Sequence, residues 1–467
     1  MTTLTLPALL LAPSLAGAQS ETVVSEIVPY WGAWFALGTF GFAYVFVILE
    51  DRTHLRKSVP MIIAAGVLWV LVGLSPARDH GIDILREDIV EFAELFLFIL
   101  AAVSFVNTLE DRQVFDVLRT RLIKLGLSLR GVYWATGALA FCMSPLADNL
   151  TTTLVMGAVA LSVGARTPRF VVPACINIVV AANAGGAFSP FGDITTLMVW
   201  QRGKLEFMEF FSLFVPSLLT WLTPALIMSF TVPRDQPVAK EGRVTLLPGS
   251  RAVITLFAGT ILGTILLHQY LHLPAALGMM TGFGALHLYG YGLTRKRRAR
   301  RLADNGASHM LGGFGHEESA KEDGFDVFDL LERVEWDTLM FFYGVLLCVG
   351  ALHAFGFLDV GVHGMYASVG PTTTNIAIGV ASAVFDNIPL MAAILAVSPE
   401  MNHAQWLLVT LTAGVGGSLL SVGSAAGVAL MGQARGIYTF GAHLRWTWAV
   451  ALGYGVSIAA HLVLNGR

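Results

Sequence analysis

The sequence predicts an all-α polytopic membrane protein made of two inverted repeats. Each repeat has five transmembrane helices plus one re-entrant hairpin, with broken helices at the midplane. Three observations predict it: the length of the apolar blocks, the distribution of basic residues, and a short set of strings that recurs in the two halves.

The chain has 467 residues, of which 55% are hydrophobic and 13% charged. A soluble protein carries about 25% charged residues, so too little polar surface exists to cover a soluble body of this size. Blocks such as Trp31–Leu49, Phe92–Phe105, Phe210–Val232 and Trp446–Leu464 approach or exceed the roughly 20 residues that a bilayer needs. The lipid bilayer is thus the first expected partner, and a multi-pass integral membrane protein is expected. The net charge of -3 gives no sign of a nucleic-acid partner. Cys142, Cys175 and Cys348 are the only cysteines, lie in apolar sequence and have no metal spacing. They read as core residues rather than a disulfide framework, and no cofactor is expected.

Residues 1–28 form an N-terminal apolar segment. The Ala-Gly-Ala-Gln-Ser ending near Ala18 reads either as a signal-peptide cleavage site or as part of a retained helix. Spans are expected near 31–49, 58–75, 92–108, 170–200, 209–232, 250–269, 274–292, 337–356, 406–432 and 446–464. Segments near 131–163 and 374–398 are expected to be hairpins that leave on the side they entered. With these assignments only Arg78, Arg86, Arg202, Lys204 and Arg467 fall outside, while the other 24 of the 29 basic residues are cytoplasmic. That asymmetry follows the positive-inside rule. It includes Arg52, Arg56 and Lys57 in the first loop and the run Arg295–Arg301.

Lys124 and Arg130 precede the first hairpin, and Arg166 and Arg169 follow it, so both its ends are cytoplasmic. The 34 residues from Gly131 to Gly164 are too few for two full spans plus a turn. Two half-length helices meeting at a polar tip, Ser144–Thr153, fit instead. Irregular backbone at membrane depth is tolerated only when buried in protein or lining a cavity, which makes the tip a candidate site by position. Residues 111–125 place Val114, Phe115, Leu118, Leu122 and Leu125 on one helical face with basic residues opposite, as an interfacial helix does. The stretch 294–336 is basic, then rich in Gly, Ser and Glu, and reads as a flexible cytoplasmic linker.

The repeat is carried by three matches in the same order. Val90-Glu91-Phe92 matches Val334-Glu335-Trp336; Asp148-Asn149 matches Asp386-Asn387; Gly185-Gly186 with Gly192 matches Gly416-Gly417 with Gly423. The expected organisation is a first repeat over 29–235, a connecting cytoplasmic loop over 236–248 and a second repeat over 249–467. An odd number of crossings inverts the second copy, an arrangement that recurs in secondary transporters.

A charged side chain at mid-membrane costs several kcal/mol and defaults to a functional hypothesis. Asp148-Asn149-Leu150-Thr151 and Asp386-Asn387-Ile388-Pro389 sit at the two hairpin tips. Carboxylate, amide and hydroxyl oxygens beside broken backbone make a hard-cation ligand set, so Na⁺ is expected at Asp148, Asn149, Asp386 and Asn387. The alternative, that the Asp-Asn pairs only cap the following half-helices, is compatible with this. The string Asn183 to Thr196 interrupts a span with three Gly and Pro190 and contains Asp193, Thr195 and Thr196; its partner runs from Gly416 through Ser421 and Ser424. It reads as an unwound segment that completes an ion cage or as a packing kink, and packing does not account for Asp193. Asp337 is either an interfacial charge or part of a proton route. Asn183, Asp193 and Thr195 have Gly414, Ser424 and Ala426 as counterparts, so most of the ion chemistry is expected in the first half.

The strings SPLADNLTTTLVMGAV, NAGGAFSPFGDITTLMVWQ, SAVFDNIPLMAAILAV and GGSLLSVGSAAGVALMGQARG resemble those of the NhaD-type sodium/proton antiporter family, within the ion transporter superfamily, over roughly 30–464. The resemblance implies that Asp148, Asn149, Asn183, Asp193, Thr195, Thr196, Asp337, Ser382, Asp386, Asn387, Ser421 and Ser424 are the polar residues important for exchange. It also implies a homodimer and exchange of Na⁺, and of Li⁺, for H⁺. Sodium–dicarboxylate carriers of the superfamily resemble this chain but look to carry a Ser-Asn-Thr triplet at each tip. Here Asp replaces that Ser twice, and a carboxylate can alternate between Na⁺ and H⁺. Two other functions remain for comparison: a Na⁺-coupled carboxylate or anion carrier, and an intramembrane aspartyl protease using two Asp.

Overall fold

The computed structural model describes Val28 and residues 30–124, 126–164, 167–235, 245–310, 336–421, 423–434 and 436–466. These residues form helices joined by turns, with no strand among them. Seven of the helices are long and apolar enough to cross a bilayer. The protein is a polytopic membrane protein.

The first half begins with α1 (Trp31–Ile48), α2 (Ser58–Gly73), α3 (Arg78–Asp111) and α4 (Val114–Lys124). Two pairs follow: α5 (Leu129–Ala147) with α6 (Asn149–Gly164), and α7 (Pro168–Gly186) with α8 (Ile194–Gln201). α9 (Phe214–Ser229) closes the half. The second half has a similar order, with two short helical segments over Asp359–His363 and Gly364–Val369 in the place of α4. It starts with α10 (Ser250–Leu271), α11 (Ala275–Met310) and α12 (Trp336–Ala354). Its broken pairs are α13 (Pro371–Ala381) with α14 (Asn387–Val397), and α15 (His403–Gly416) with α16 (Ala425–Gln433). It ends with α17 (Thr447–Asn465).

Contacts between the halves are reciprocal. α2 packs on α12 and α3 on α11; α6 packs on α16 and α8 on α14; α9 packs on α17. α7 is buried along almost its whole length, whereas α1 and α10 are mostly exposed. Their outward apolar side chains, such as Trp34, Phe42 and Leu262, suit hydrocarbon rather than water. α7 is therefore central and α1 and α10 peripheral.

Several expected boundaries change. α5 and α6 pack side by side and have 19 and 16 residues. At 1.5 Å per residue they are longer than half-length arms, and the non-helical tip narrows to Asp148. The second broken pair keeps the half-length form, with 11 residues in each helix. The span expected from 92 is the end of a helix that starts at Arg78 and carries its first turns on charged residues. The flexible linker expected from 294 is also corrected: α11 continues to Met310. Arg, Lys, Ala and Leu are strong helix formers, and they dominate its start. The amphipathic segment near 111–125 forms helix α4. The N-terminal segment 1–27, most of the connecting loop and the linker from 311 to 335 lie outside the described residues.

Candidate functional site

The first tip is built by a single non-helical residue. Asp148 has a φ of 52° and a ψ of 163°, outside the left-handed helical region and sparsely populated by residues other than Gly. Its carboxylate accepts the Thr151 amide at 2.8 Å and the Thr151 hydroxyl at 2.9 Å. This is a helix N-cap, and the cap holds a charged group at the break. Asn149 donates to Asn183 Oδ1 at 3.2 Å. Asn183 in turn donates to the hydroxyls of Ser418 and Ser424, each at 2.9 Å. One amide chain thus links the first tip to both broken segments.

The second tip reaches across the molecule. Asn387 donates to Asp193 Oδ2 at 2.9 Å. Asp193 is itself the N-cap of α8, accepting from the Ile194 amide at 2.7 Å and the Thr195 hydroxyl at 3.0 Å. The Thr196 hydroxyl donates to the Asp193 carbonyl at 2.7 Å. This geometry requires α7 to stop and the chain to turn back on itself. Gly186 permits the turn: an added Cβ would lie 2.6 Å from the Gly192 carbonyl oxygen. Asp386 caps α14 with a long bond from Ile388 N at 3.5 Å, and its own amide donates to the Tyr44 hydroxyl at 3.2 Å.

These elements enclose a cavity of about 290 Å³. Asp148, Asn149, Thr151, Asp193, Asp386, Asn387 and Ser424 line it. Asn183 and Thr195 stand one hydrogen bond behind that lining. The other sequence-selected residues lie elsewhere. Asp337 accepts from the Ser58 hydroxyl. Ser382 donates to the Ala413 carbonyl at 2.9 Å, and Ser421 pairs with the Tyr438 hydroxyl at 2.9 Å. Among the described residues no three acidic, His or Cys side chains cluster at metal-binding range. A cation here would rest on amide, hydroxyl and carbonyl oxygens as well as carboxylates, which suits a hard ion.

Four polar lining residues escaped the sequence reading: Lys57, Asn107, Glu110 and Thr338. Lys57 is one of several basic residues in a short loop, where it looks like an ordinary topology signal. Glu110 and Asn107 stand at the end of a long apolar helix, where interfacial charges are common. No spacing in the sequence separates either case from background.

A family model described as a citrate transporter (CitMHS) matches residues 44–296 and 320–414. A Na⁺/H⁺ antiporter NhaD of Alkalimonas amylolytica is 50% identical over 442 residues, covering 92% of this chain and 90% of the relative. One of Vibrio cholerae is 49% identical over 438 residues, covering 92% and 91%. One of Halomonas elongata is 46% identical over 473 residues, covering 99% and 94%.

The chain belongs to the NhaD sodium/proton antiporter family. Being NhaD-type, it is a transporter and not an enzyme, which sets aside the intramembrane protease reading. The family model places the NhaD-type chain within a wider set that is described by an anion, so the ion handled at the cavity has to be argued from its lining.

Proposed function

We propose that the protein exchanges Na⁺, and Li⁺, for H⁺ across a bacterial inner membrane, with the ions competing at the buried tip carboxylates. The single observation that carries this reading is the cavity in which Asp148, Asp193 and Asp386 share a lining with Asn149, Thr151, Asn387 and Ser424. Carboxylates can hold a metal ion or a proton, and neutral oxygens beside them complete a shell for a hard cation. Exchange near neutral pH requires carboxylates that keep a proton well above the ordinary range near 3.9, which burial can supply.

The repeats over 29–235 and 249–467 are read as inverted relative to each other, with the tips entering from opposite sides. The reciprocal packing of α6 on α16 and α8 on α14 supports a movement of the tip-bearing elements as a body against a scaffold. Inward proton flow would then drive Na⁺ outward, and a homodimer would supply the fixed frame. Thr195 and Asn183 orient the lining, Thr196 fixes the turn at Asp193, and Ser382 and Ser421 hold the broken segments. Asp337 is read as a proton-route residue at the Ser58 contact.

A second reading, a Na⁺-coupled carboxylate carrier, is favoured by the description of the matching family model. The lining opposes it, because Glu110, Asp148, Asp193 and Asp386 face a single ammonium, Lys57. A pH probe in inverted vesicles, with Na⁺, Li⁺ and K⁺ added in turn, tests the proposal. A response to Na⁺ and Li⁺ is expected. No response to any cation, together with Na⁺-dependent uptake of radiolabelled citrate or succinate, would replace exchange with the anion-carrier reading.

A further inference from the structure

Lys57 precedes α2 and projects into the cavity with the carboxylates. Its ammonium sits 4.8 Å from the centroid of the Phe341 ring, and Phe341 is fully buried. A cation over an aromatic face is held without full hydration, so this ammonium is partly stripped of water. Asp386 lines the same cavity. The next residue, Ser58, is buried and donates its hydroxyl to Asp337 on α12. That contact ties the start of α2 to α12 and keeps the Lys57 backbone beside the cavity. The side chain has four methylene groups between this anchor and its charge, so the ammonium can approach or leave the carboxylates without backbone movement.

We infer that Lys57 is a specificity-determining residue: a tethered cation that occupies the Asp386 side of the cavity and competes there with the transported Na⁺. The inference rests on the cation-exchange reading above. The carboxylates of an ion-free site repel one another at low dielectric, and a built-in ammonium offsets part of that repulsion. Na⁺ must displace it. The apparent affinity for Na⁺ is then reduced by the fraction of time the tethered charge is in place.

The test compares wild-type protein with Lys57→Gln and Lys57→Arg by Na⁺ titration in inverted vesicles. Removing the tethered charge is expected to lower the half-saturating Na⁺ roughly 3- to 10-fold, as competition for one site requires, while the maximal rate falls because release is slower. Lys57→Arg keeps a cation and should stay near wild type in half-saturation. A purely structural defect gives no gain in affinity. If Lys57→Gln is transport-silent, Na⁺-dependent thermal stabilisation of the purified protein decides: a lower half-effect concentration supports the inference and a higher one, or none, overturns it.

If the Gln variant does not fold, Lys57→Cys in a Cys142→Ser background serves, since the other two cysteines are buried. Labelling that thiol with an aminoethyl methanethiosulfonate restores an ammonium, and a methyl reagent does not. Weaker Na⁺ affinity after the first but not the second is expected; equal effects of both contradict the inference. A wild-type protein that ignores Na⁺ refutes the exchange reading itself, whereas wild-type response with unaltered Lys57→Gln half-saturation refutes only the role of Lys57.

Discussion

The two tips carry the same Asp-Asn dipeptide and hold it by different means. At Asp148 the third residue onward is Thr151, whose amide and hydroxyl both bond the carboxylate at under 3 Å. At Asp386 the same position is Pro389, which has neither group, and the cap is a bond of 3.5 Å from Ile388. The neighbouring Asn residues diverge as well. Asn149 bonds Asn183 of its own half, whereas Asn387 crosses to Asp193 of the other. The first tip is thus a firmly capped helix start, flanked by arms of 19 and 16 residues. The second is a looser junction between 11-residue helices. Near-identical strings are held differently: the first carboxylate is firmly placed by its own cap, whereas the second has one long bond and its neighbouring Asn387 bridges the halves.

That contrast can be broken by substitution. The largest effects are expected on removing either tip charge, at Asp386→Asn as at Asp148→Asn. Losing a buried charge that balances a cation costs ~3–5 kcal/mol, so Na⁺-dependent proton movement should fall about 100-fold or more at fixed protein level. Activity within tenfold of wild type would remove Asp386 from the ion site. Next comes Asn387→Ala, which deprives Asp193 of a donor. Hydrogen bonds to charged groups contribute about 1.5–3 kcal/mol, so half-saturating Na⁺ should rise at least tenfold, and more than for Asn149→Ala. The reverse order would mean that the crossing bond does not shape the site.

Pro389→Thr gives the second tip the hydroxyl that the first one has. That hydroxyl would compete with Na⁺ for an Asp386 oxygen, raising half-saturation by about tenfold, the low end for a hydrogen bond to a charged group. A fall in half-saturation would show that Asp386 needs positioning more than freedom. Thr151→Val is the smallest in transport terms. It leaves the backbone bond to Asp148 but weakens the cap by ~1 kcal/mol. Thermal stability should drop by a few degrees while Na⁺ half-saturation stays within about threefold; a large transport loss with unchanged stability would place Thr151 at the ion.

Much of this architecture was legible in residues that obey simple constraints. The apolar blocks marked the helices. The basic residues around Gly131–Gly164 forced a hairpin, and the hairpin located Asp148. Gly185, Gly186 and Pro190 marked the break that gives Asp193 its cap. What stayed hidden has physical reasons. Arm length cannot be read where apolar sequence continues past the expected tip. The extension of α11 to Met310 runs through a charged stretch whose high helix propensity has no apolar period to announce it. Lys57 and Glu110 enter the cavity by side-chain reach from helix ends. Hydrogen bonds that join residues 183 and 424, or 193 and 387, depend on how the halves meet. Local pattern carries no information about that meeting.

The central claim is that a tip carboxylate exchanges Na⁺ for H⁺, and Asp148→Asn tests it most directly. Asn caps a helix about as well as Asp, so the substitution removes the charge and keeps the tip. In inverted vesicles loaded with a pH probe, the account predicts that Na⁺ addition moves protons in the wild type and fails to do so in Asp148→Asn at equal protein level. A wild-type response from the variant would contradict the account and leave Asp148 as a cap alone.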